Sequence, residues 1–457
     1  MLQKFLDLKV PSLLSNSKIG TAVEEKLSIF RCRSRATRES RISISTSSHP
    51  SPSSTPQTPN SKMLRINYYI SGHGFGHATR SAQLIFALLS SSPTTHVTII
   101  TTAPQHLFPS SDRISFIRQE VDSAIIQPQP YTIDATASFA NLATFLAAAE
   151  TEGWKKRMES ILDETECNLI LADAPYPIAW LGVKERGIKS ILVSNFTFDA
   201  IFEKLLTYLP TSRCSAETRM VEKIENLYAE YDFAVRLPGF ISFPFVERYW
   251  SGEEKKRRLV DVPLVFRPAR VGREKVLENL GVPVDMRGCK VLLVQFGGQI
   301  LTKSGEAKVP SIPEGWICLS ADEVDDERFF RFPKDVYSPD LVGAADVVLG
   351  KIGKMINSSE RQRELTWLGY GTVSECVGMN KPLVYVLRPM FAEEPGLLKY
   401  MNENGSSEEI SVADYESGTW AGIIEKIVKA REAKKKVHVK EGSAEVAKII
   451  EKLAQGE

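Results

Sequence analysis

Leu64–Arg80, LRINYYISGHGFGHATR, is the segment that indicates the fold of this chain most clearly. Leu64–Ile70 is rich in aromatic and branched side chains and predicts a buried strand. In Ala78–Leu89 the apolar residues repeat at helical spacing, which predicts an amphipathic helix. A glycine-rich turn between a strand and a helix is typical of ligand loops in α/β proteins. We therefore expect the folded part of the chain to begin with a strand, a ligand loop and a helix.

The same alternation continues in two series along the chain. Strand-like segments separated by helical ones predict the α/β class with mostly parallel, doubly wound sheets, and a length of 457 residues favours two domains. We expect domains at 63–258 and 259–457, a hinge near 255–268 and mainly helix at 195–262. The other predicted strands are Val97–Thr101, Leu169–Ala172, Ile191–Ser194, Val291–Gln295, Trp316–Leu319, Val347–Gly350 and Pro382–Leu387; a further helix is predicted at Ala179–Arg186.

Composition limits the classes of function. Hydrophobic residues make up 43%, charged residues 25%, and the net charge is +1, so we expect a soluble globular protein that does not bind nucleic acid. The 6 cysteines are scattered without a CxxC pair, so we expect neither a metal site nor a disulfide framework. No apolar run is long enough to predict a transmembrane helix.

Residues 1–62 differ from the rest of the chain. Basic residues there outnumber acidic ones, and Ser45–Ser61 consists almost wholly of Ser, Thr, Pro, Gln and Asn. This composition predicts a disordered leader, and an Arg- and Ser-rich leader poor in acidic residues is also typical of an organellar transit peptide. The expected compartment is the cytoplasm, with an organelle as the alternative.

The first glycine-rich loop places Gly72, Gly74 and Gly76 between the first strand and its helix. Because they lack side chains, their backbone N–H groups can approach a phosphate or an anionic transition state, and all three are candidate substrate contacts. Their spacing differs from the GxGxxG of dinucleotide sites, and the Lys-Ser/Thr of a P-loop is missing. The loop therefore indicates an anion site of another kind.

Charged and ionisable side chains accompany this loop. His73 and His77 are candidate catalytic residues because imidazole is the natural general base near neutral pH; the alternative is that they hold the loop by hydrogen bonds. Arg80 can reach a phosphate from the first helical turn, or it can lie in solvent. Asp173, at the end of a predicted strand, can orient the acceptor or the base, or serve as a turn residue.

A second glycine-rich segment, Gly369–Glu375 (GYGTVSE), leads into a predicted helix. Backbone N–H groups and hydroxyls at Gly371, Thr372 and Ser374 can bind a diphosphate. The Glu375 carboxylate can accept hydrogen bonds from a ribose diol. The alternative is an ordinary helix N-terminus capped by Thr or Ser.

Two further loops carry candidate substrate contacts. Gly297 and Gly298 follow the strand Val291–Gln295, and the pair Glu393 and Glu394 follows a later strand. The paired carboxylates can hold sugar hydroxyls or simply face solvent. In a two-domain α/β protein, we expect such loops to face the cleft between the domains.

Six segments carry a family resemblance through their sequences and their order. They are Ser71–Arg80 (SGHGFGHATR), Val193–Asp199 (VSNFTFD), Val262–Pro268 (VPLVFRP), Val294–Gln299 (VQFGGQ), Gly369–Glu375 (GYGTVSE) and Phe391–Pro395 (FAEEP). They resemble the glycosyltransferase-like N-terminal half of the plant L-arabinokinases and, more distantly, the lipid-linked N-acetylglucosaminyltransferases of peptidoglycan synthesis. The resemblance covers about residues 64–430.

This resemblance implies a GT-B fold, in which two doubly wound, Rossmann-like domains face a cleft. It implies transfer of a hexosyl or related sugar from a UDP donor to an acceptor, with inversion, without an essential metal and without a cofactor. The donor would be held mainly by the C-terminal domain, and His77 would be the base, with His73 second. The donor contacts that the resemblance implies are Gly371, Thr372, Ser374, Glu375 and Glu394.

The sequence departs from this family in two ways. No phosphate loop of the GHMP-kinase kind occurs, so we do not expect arabinokinase activity. The family runs GKIGYGTVSE continuously, whereas here Lys354–Gly369 separates Gly353 from Tyr370. We hypothesise that this insert is a retained short intron, which sequencing of spliced transcripts would test. Because a phosphate-binding loop needs contiguous backbone, donor binding depends on whether the insert is present.

Two other functions stay open. A non-catalytic nucleotide-sugar sensor would bind the same donor but would tolerate loss of His77, since a fold does not fix a function. A nucleotide-sugar epimerase would use carboxylates and His around the anomeric carbon. The donor sugar, the acceptor and the oligomeric state are not assigned by the sequence.

Overall fold

The structure is a computed structural model that describes residues 63–73, 75–128, 132–176, 186–210, 214–295, 309–333, 335–351, 369–434 and 437–456. All of these residues belong to one compact unit. Outside the described residues lie the leader 1–62, Gly74, Gly297 and Gly298, most of the predicted helix Ala179–Arg186, and residues 354–368 of the insert.

The N-terminal half forms a parallel sheet. Its strands are β1 (Arg65–Ile70), β2 (His96–Thr101), β3 (Ile114–Arg118), β4 (Leu169–Asp173), β5 (Lys189–Ser194), β6 (Phe233–Arg236) and β7 (Leu259–Asp261). They lie in the order β3-β2-β1-β4-β5-β6-β7, with Tyr69 of β1 opposite Ile100 of β2 and Ala172 of β4. The order reverses between β1 and β4, and ligands of such sheets bind there, beyond the carboxyl ends of the strands.

Helices cover both faces of this sheet. Alternate residues of a strand point to opposite faces, so Tyr68 packs into one buried core, which includes Leu84 and Leu88, and Tyr69 packs into another, which includes Phe139 and Phe202. The helices of this half are α1 (Phe75–Ser91), α2 (Ala135–Ala149), α3 (Glu152–Thr165), α4 (Phe198–Leu206), α5 (Cys214–Ala229), α6 (Pro244–Tyr249) and α7 (Gly252–Arg258).

The C-terminal half repeats the plan. Its strands are β8 (Lys290–Gln295), β9 (Trp316–Ser320), β10 (Phe329–Arg331), β11 (Val347–Lys351), β12 (Leu383–Val386) and β13 (Ser407–Glu409). The parallel order β10-β9-β8-β11-β12-β13 reverses between β8 and β11. The helices are α8 (Arg273–Asn279), α9 (Ser338–Ala344), α10 (Tyr370–Gly378), α11 (Glu394–Asn404), α12 (Val412–Glu416), α13 (Ala421–Ala433) and α14 (Ser443–Gln455).

The last helix returns to the N-terminal half. In α14, Ser443 Oγ accepts a hydrogen bond from Gln83 Nε2 of α1 at 3.5 Å. At the other end of α14, the Leu453 carbonyl accepts one from Lys189 Nζ of β5 at 3.2 Å. The two halves are therefore tied together by the end of the chain as well as by the connection between the sheets.

The predicted α/β class with two doubly wound sheets is confirmed, and each predicted strand is present within one or two residues at either end. The prediction of mainly helix at 195–262 is wrong at β6 and β7, which extend the first sheet. These strands span only Phe233–Arg236 and Leu259–Asp261, too few residues to show an alternating pattern. The expected domain boundary at 258/259 falls at the start of β7.

Candidate functional site

His77 lies in the first turn of α1, at the point where the strand order reverses. Its Nδ1 is 2.8 Å from Oδ1 of Asp173, the last residue of β4. Both side chains are buried, with 3% and 1% of their surface exposed. The topology brings them together because β1 and β4 are neighbours, with Ile70 opposite Asp173. A carboxylate that meets one imidazole nitrogen fixes the ring and leaves the other nitrogen for chemistry.

Arg80 holds the same carboxylate from one helical turn further along. Its Nε donates to Asp173 Oδ2 at 2.7 Å, and its Nη2 contacts Oδ1. The guanidinium also donates to Ser194 Oγ at 3.1 Å and to the side-chain oxygen of Asn195. The structure therefore directs Arg80, a candidate phosphate ligand by sequence, towards Asp173, and the alternative that it lies in solvent is wrong because the residue is 5% exposed.

Asp173 stays ionised in this buried cluster. Burial raises the pKa of Asp173, but the Arg80 guanidinium and His77 outweigh burial and hold the pKa well below its usual range. Ser81 Oγ adds a hydrogen bond to Oδ2 at 3.0 Å. A buried carboxylate with this many donors is a fixed negative charge beside the imidazole.

The two contacts of His77 Nδ1 bear on which ring nitrogen carries the proton. Arg80 Nη2 lies 2.9 Å from Nδ1, close to the carboxylate oxygen that the same nitrogen meets. Arg can only donate hydrogen bonds and an ionised carboxylate can only accept them. Nδ1 therefore either carries a proton and donates to Asp173, or is unprotonated and accepts a hydrogen bond from Arg80. The ionised carboxylate is the stronger partner and favours the Nδ1–H form. In that tautomer the lone pair of the ring is on Nε2.

His73 occupies a different place in the loop. Its Nε2 lies 3.0 Å from the backbone oxygen of Asp122 and 3.0 Å from the Oδ1 of the same residue. It therefore links the glycine-rich loop to the segment after β3, apart from Asp173. Gly72 in this loop has no room for a side chain, because a Cβ atom would lie 1.8 Å from Thr102 Oγ1. At Gly76 a Cβ atom would meet open space.

The N-termini of α1 and α10 face each other across one pocket, which we call the phosphate pocket. A Cβ atom on Gly371 of α10 would lie 4.0 Å from Thr79 Oγ1 of α1. Helix N-termini offer unpaired backbone N–H groups and a positive partial charge, so the convergence of two of them suits an anion. The pocket is lined by Gly76, Thr79, Arg267, Gln295, Ser338, Gly369, Gly371, Thr372 and Glu375.

Arg267 and Glu375 form an ion pair on the wall of the phosphate pocket. Arg267 donates to Glu375 Oε1 from Nε at 3.0 Å and from Nη2 at 2.7 Å. Burial raises the pKa of Glu375, and Arg267 opposes that rise. Arg267 is not among the residues predicted from the sequence, although it lies in the segment Val262–Pro268, because a single Arg before a Pro carries no periodic or spacing signal.

The remaining predicted contacts divide between pocket and core. Gly371 and Thr372 line the phosphate pocket, whereas the Ser374 hydroxyl donates to the Gly371 carbonyl at 2.9 Å inside the helix. Glu394 accepts from the Arg388 backbone N–H at 2.9 Å, and burial raises the pKa of Glu394 to about 8, although Arg388 opposes the rise. Glu393 and Glu394 are both buried, so the alternative that they face solvent is wrong.

A second pocket lies beside His77, and we call it the apolar pocket. The Phe196 ring on its wall meets the His77 ring edge to face, with centroids 5.3 Å apart. Both halves of the chain contribute to it, and its polar members are Gln127 and Glu393. It is lined by Ile125, Gln127, Ile133, Phe196, Phe198, Ile201, Phe391, Ala392 and Glu393.

The part of the chain that the structure describes contains neither a membrane-spanning helix nor a metal-binding cluster. No helix there is long and apolar enough to cross a membrane. No group of three or more His, Cys, Asp or Glu side chains among those residues is arranged to hold a metal ion. The cysteines whose side chains are described, Cys167, Cys289, Cys318 and Cys376, are free thiols.

Sequence comparison relates the chain to one curated protein. It is 30% identical over 375 residues to the L-arabinokinase of Arabidopsis thaliana, an alignment that covers 80% of this chain and 32% of that protein. The chain thus spans about a third of the length of the relative it matches. No protein-family model matches the chain. The chain is a homologue of part of L-arabinokinase, which confirms the resemblance seen in its motifs.

Solved structures identify the fold. The calicheamicin glycosyltransferase CalG4 superposes with a TM-score of 0.50 at 13% identity, covering 87% of this chain and 99% of that chain. The glycotransferase of kitacinnamycin gives a TM-score of 0.50 at 16% identity, covering 85% of this chain and 99% of that chain. The chain therefore has the GT-B fold of two parallel-sheet, Rossmann-like domains.

Proposed function

We propose that this chain transfers a hexosyl or related sugar from a UDP donor to an acceptor hydroxyl, with inversion and without a cofactor or an essential metal. The observation that carries the proposal is the buried His77–Asp173 pair beside a pocket where two helix N-termini meet. A base on one side of the anomeric carbon and an anion site for the leaving group on the other are the two parts that the reaction needs.

The phosphate pocket supplies the donor half of the site. The N–H groups at the start of α10 and the Thr372 hydroxyl would hold the diphosphate, with the Arg267 guanidinium as the nearby positive charge. Glu375 would accept the ribose hydroxyls, and Arg267 keeps that carboxylate in place until the donor arrives. Glu394 would contact the donor sugar.

His77 supplies the chemistry. Its Nε2 would take the proton of the acceptor hydroxyl as the oxygen forms a bond to the anomeric carbon, and the bond from that carbon to the diphosphate oxygen would break. The imidazolium that forms is stabilised by the Asp173 carboxylate, as the buried ion pair allows. The negative charge of the departing UDP would be stabilised by the helix N-termini.

A non-catalytic sensor of nucleotide sugars is the second candidate. It is favoured by the relationship to a protein named as a kinase, of which this chain spans about a third. In such a protein, the part similar to this chain could bind a nucleotide sugar while another part does the chemistry. The same phosphate pocket would serve, and His77 would be dispensable.

A transfer assay separates the two. The full chain and a form that lacks Lys354–Gly369 are each incubated with a panel of UDP-sugars and hydroxylated acceptors. UDP release and glycoside formation are measured for the wild type, His77→Gln and His106→Gln of each form. His106 is an exposed histidine in a short turn and provides the matched control. The transferase proposal expects turnover to fall at least about a hundredfold in His77→Gln alone, with donor binding retained. Equal turnover in all three would refute the role of His77.

A further inference from the structure

The residue directly after Asp173 has an unusual backbone conformation. Ala174 has a φ of 76°, in the left-handed region that favours glycine, although it is an alanine. It is also completely buried. Such a conformation persists only where the surrounding structure holds it, and it is found disproportionately at functional sites.

Two tyrosines hold this turn. The Tyr228 hydroxyl donates to the Ala174 carbonyl, and the Tyr231 hydroxyl donates to the Pro175 carbonyl at 2.8 Å. Burial raises the pKa of both phenols well above the usual value, so both hydroxyls remain protonated donors. The Tyr228 ring is itself held by stacking on Phe245, with centroids 5.4 Å apart.

The tyrosines act on Asp173 through the backbone. Tyr228 and Tyr231 belong to the core on one face of the first sheet, together with Ala174. Asp173 pairs with Ile70, which belongs to the core on the opposite face, where α1 packs. The Tyr228 hydroxyl also accepts a hydrogen bond at 3.0 Å from the backbone N–H of Phe198, which lines the apolar pocket, but neither tyrosine lines the phosphate pocket. A change at either hydroxyl therefore reaches Asp173 by way of the 173–175 peptide units.

We propose that Tyr228 and Tyr231 are positioning residues that hold Ala174 in the left-handed conformation and so fix the Asp173 carboxylate against His77 Nδ1. The left-handed residue turns the chain away at once after β4, which leaves the carboxylate facing α1. The role of these tyrosines in catalysis rests on the proposed transferase function. Their role in positioning Asp173 depends only on the contacts described above.

The test uses a spectroscopic signature of the His77–Asp173 hydrogen bond. A histidine Nδ1–H that donates to a carboxylate gives a downfield proton signal in NMR spectra of the 15N-histidine-labelled full chain, and its absence in His77→Gln assigns it. The variants are Tyr228→Phe and Tyr228→Phe with Ala174→Gly. Tyr208→Phe is the matched control, because the Tyr208 hydroxyl also donates to a backbone carbonyl, that of Pro389, at 3.2 Å.

We expect the signal to be lost or broadened in Tyr228→Phe, to persist in Tyr208→Phe, and to return when Ala174→Gly is added, because glycine adopts the left-handed conformation without help. In the transfer assay, kcat should fall about ten- to a hundredfold in Tyr228→Phe with the donor KM unchanged, and should recover in the double variant.

A signal that is unchanged in Tyr228→Phe, or that stays lost in the folded double variant, would overturn the proposal. If Tyr228→Phe does not fold, the double variant decides: recovery of fold and signal supports the proposal, and failure to recover overturns it. A wild type that shows the signal but no turnover with any donor would remove the proposed function and leave the positioning role intact.

Discussion

Asp173→Asn replaces one carboxylate oxygen by an amide group at the centre of the buried cluster. The carboxylate accepts from Arg80 Nε at 2.7 Å, from Ser81 Oγ at 3.0 Å and faces His77 Nδ1 at 2.8 Å. An amide keeps one acceptor oxygen and turns an NH2 group towards groups that donate. The Arg80 side chain, of which 4% is exposed, then carries a buried positive charge without the negative charge of Asp173 beside it.

The size of the effect follows from that geometry. Breaking a buried ion pair by removing one partner costs about 3–5 kcal/mol, and losing two charge-assisted hydrogen bonds at about 1.5–3 kcal/mol each gives a similar figure. We therefore expect Asp173→Asn to lower the free energy of unfolding at pH 7 by about 3–5 kcal/mol. Urea unfolding measures it. Asp134→Asn is the control, because Asp134 is an exposed helix cap and Asn caps equally well.

The effect also has a defined pH dependence. The folded-state pKa of Asp173 lies below its unfolded value of about 3.9, so its contribution is complete above about pH 4 and is lost as the pH falls towards the folded-state pKa. The difference between wild type and variant should therefore be constant from pH 7 to pH 5 and shrink by about 1.4 kcal/mol per pH unit below pH 4. A difference under about 1 kcal/mol at pH 7, or one that does not change with acid, would refute this reasoning.

Further predictions concern stability at other positions. Burial raises the pKa of Asp199 to about 6, so the contribution of this group to the free energy of unfolding is complete below about pH 4 and is lost as the pH rises through 6. In urea unfolding, the free energy of unfolding of the wild type should fall by about 3 kcal/mol between pH 4 and pH 7 because of this group, and that of Asp199→Asn should not. An identical pH profile in both proteins would contradict it. Gly72→Ala should destabilise by about 1–3 kcal/mol because its Cβ meets Thr102, whereas Gly76→Ala, with open space in a helix, should be neutral or stabilising. Thermal melts compare the two, and the reverse order would disprove the packing argument.

The order of strands and helices could be predicted because each long strand carries its own pattern. Residues 291–294 and 347–349 are apolar throughout, as strands buried on both faces must be. β6 and β7 could not be predicted, since they are only 4 and 3 residues long and their pairing partners are distant in sequence. Short strands of this kind are recognised only from the sheet that they extend.

The sequence was enough to predict several residues of the site, but not which of them contact each other. Glycines and histidines in a strand–helix turn pointed to His77, and a strand-end carboxylate pointed to Asp173, yet their hydrogen bond depends on β1 and β4 being neighbours. Arg80 was predicted as a candidate phosphate ligand, since its actual partner, Asp173, is 93 residues away in sequence and the pairing has no local signal. Arg267 had no local signal at all, and only the fold brings it to Glu375.

Calorimetric titration measures whether a UDP-sugar binds in the phosphate pocket, on which the proposed function depends. UDP and UDP-sugars are titrated into the full chain and into a variant that lacks Lys354–Gly369, each with and without Arg267→Gln. Arg270→Gln, at a nearby exposed arginine, is the control. We predict saturable binding in the shortened chain, weakened at least about tenfold by Arg267→Gln and unchanged by Arg270→Gln. Equal binding in the full chain would mean that the insert does not block the pocket. Absence of saturable binding in both forms would contradict the account.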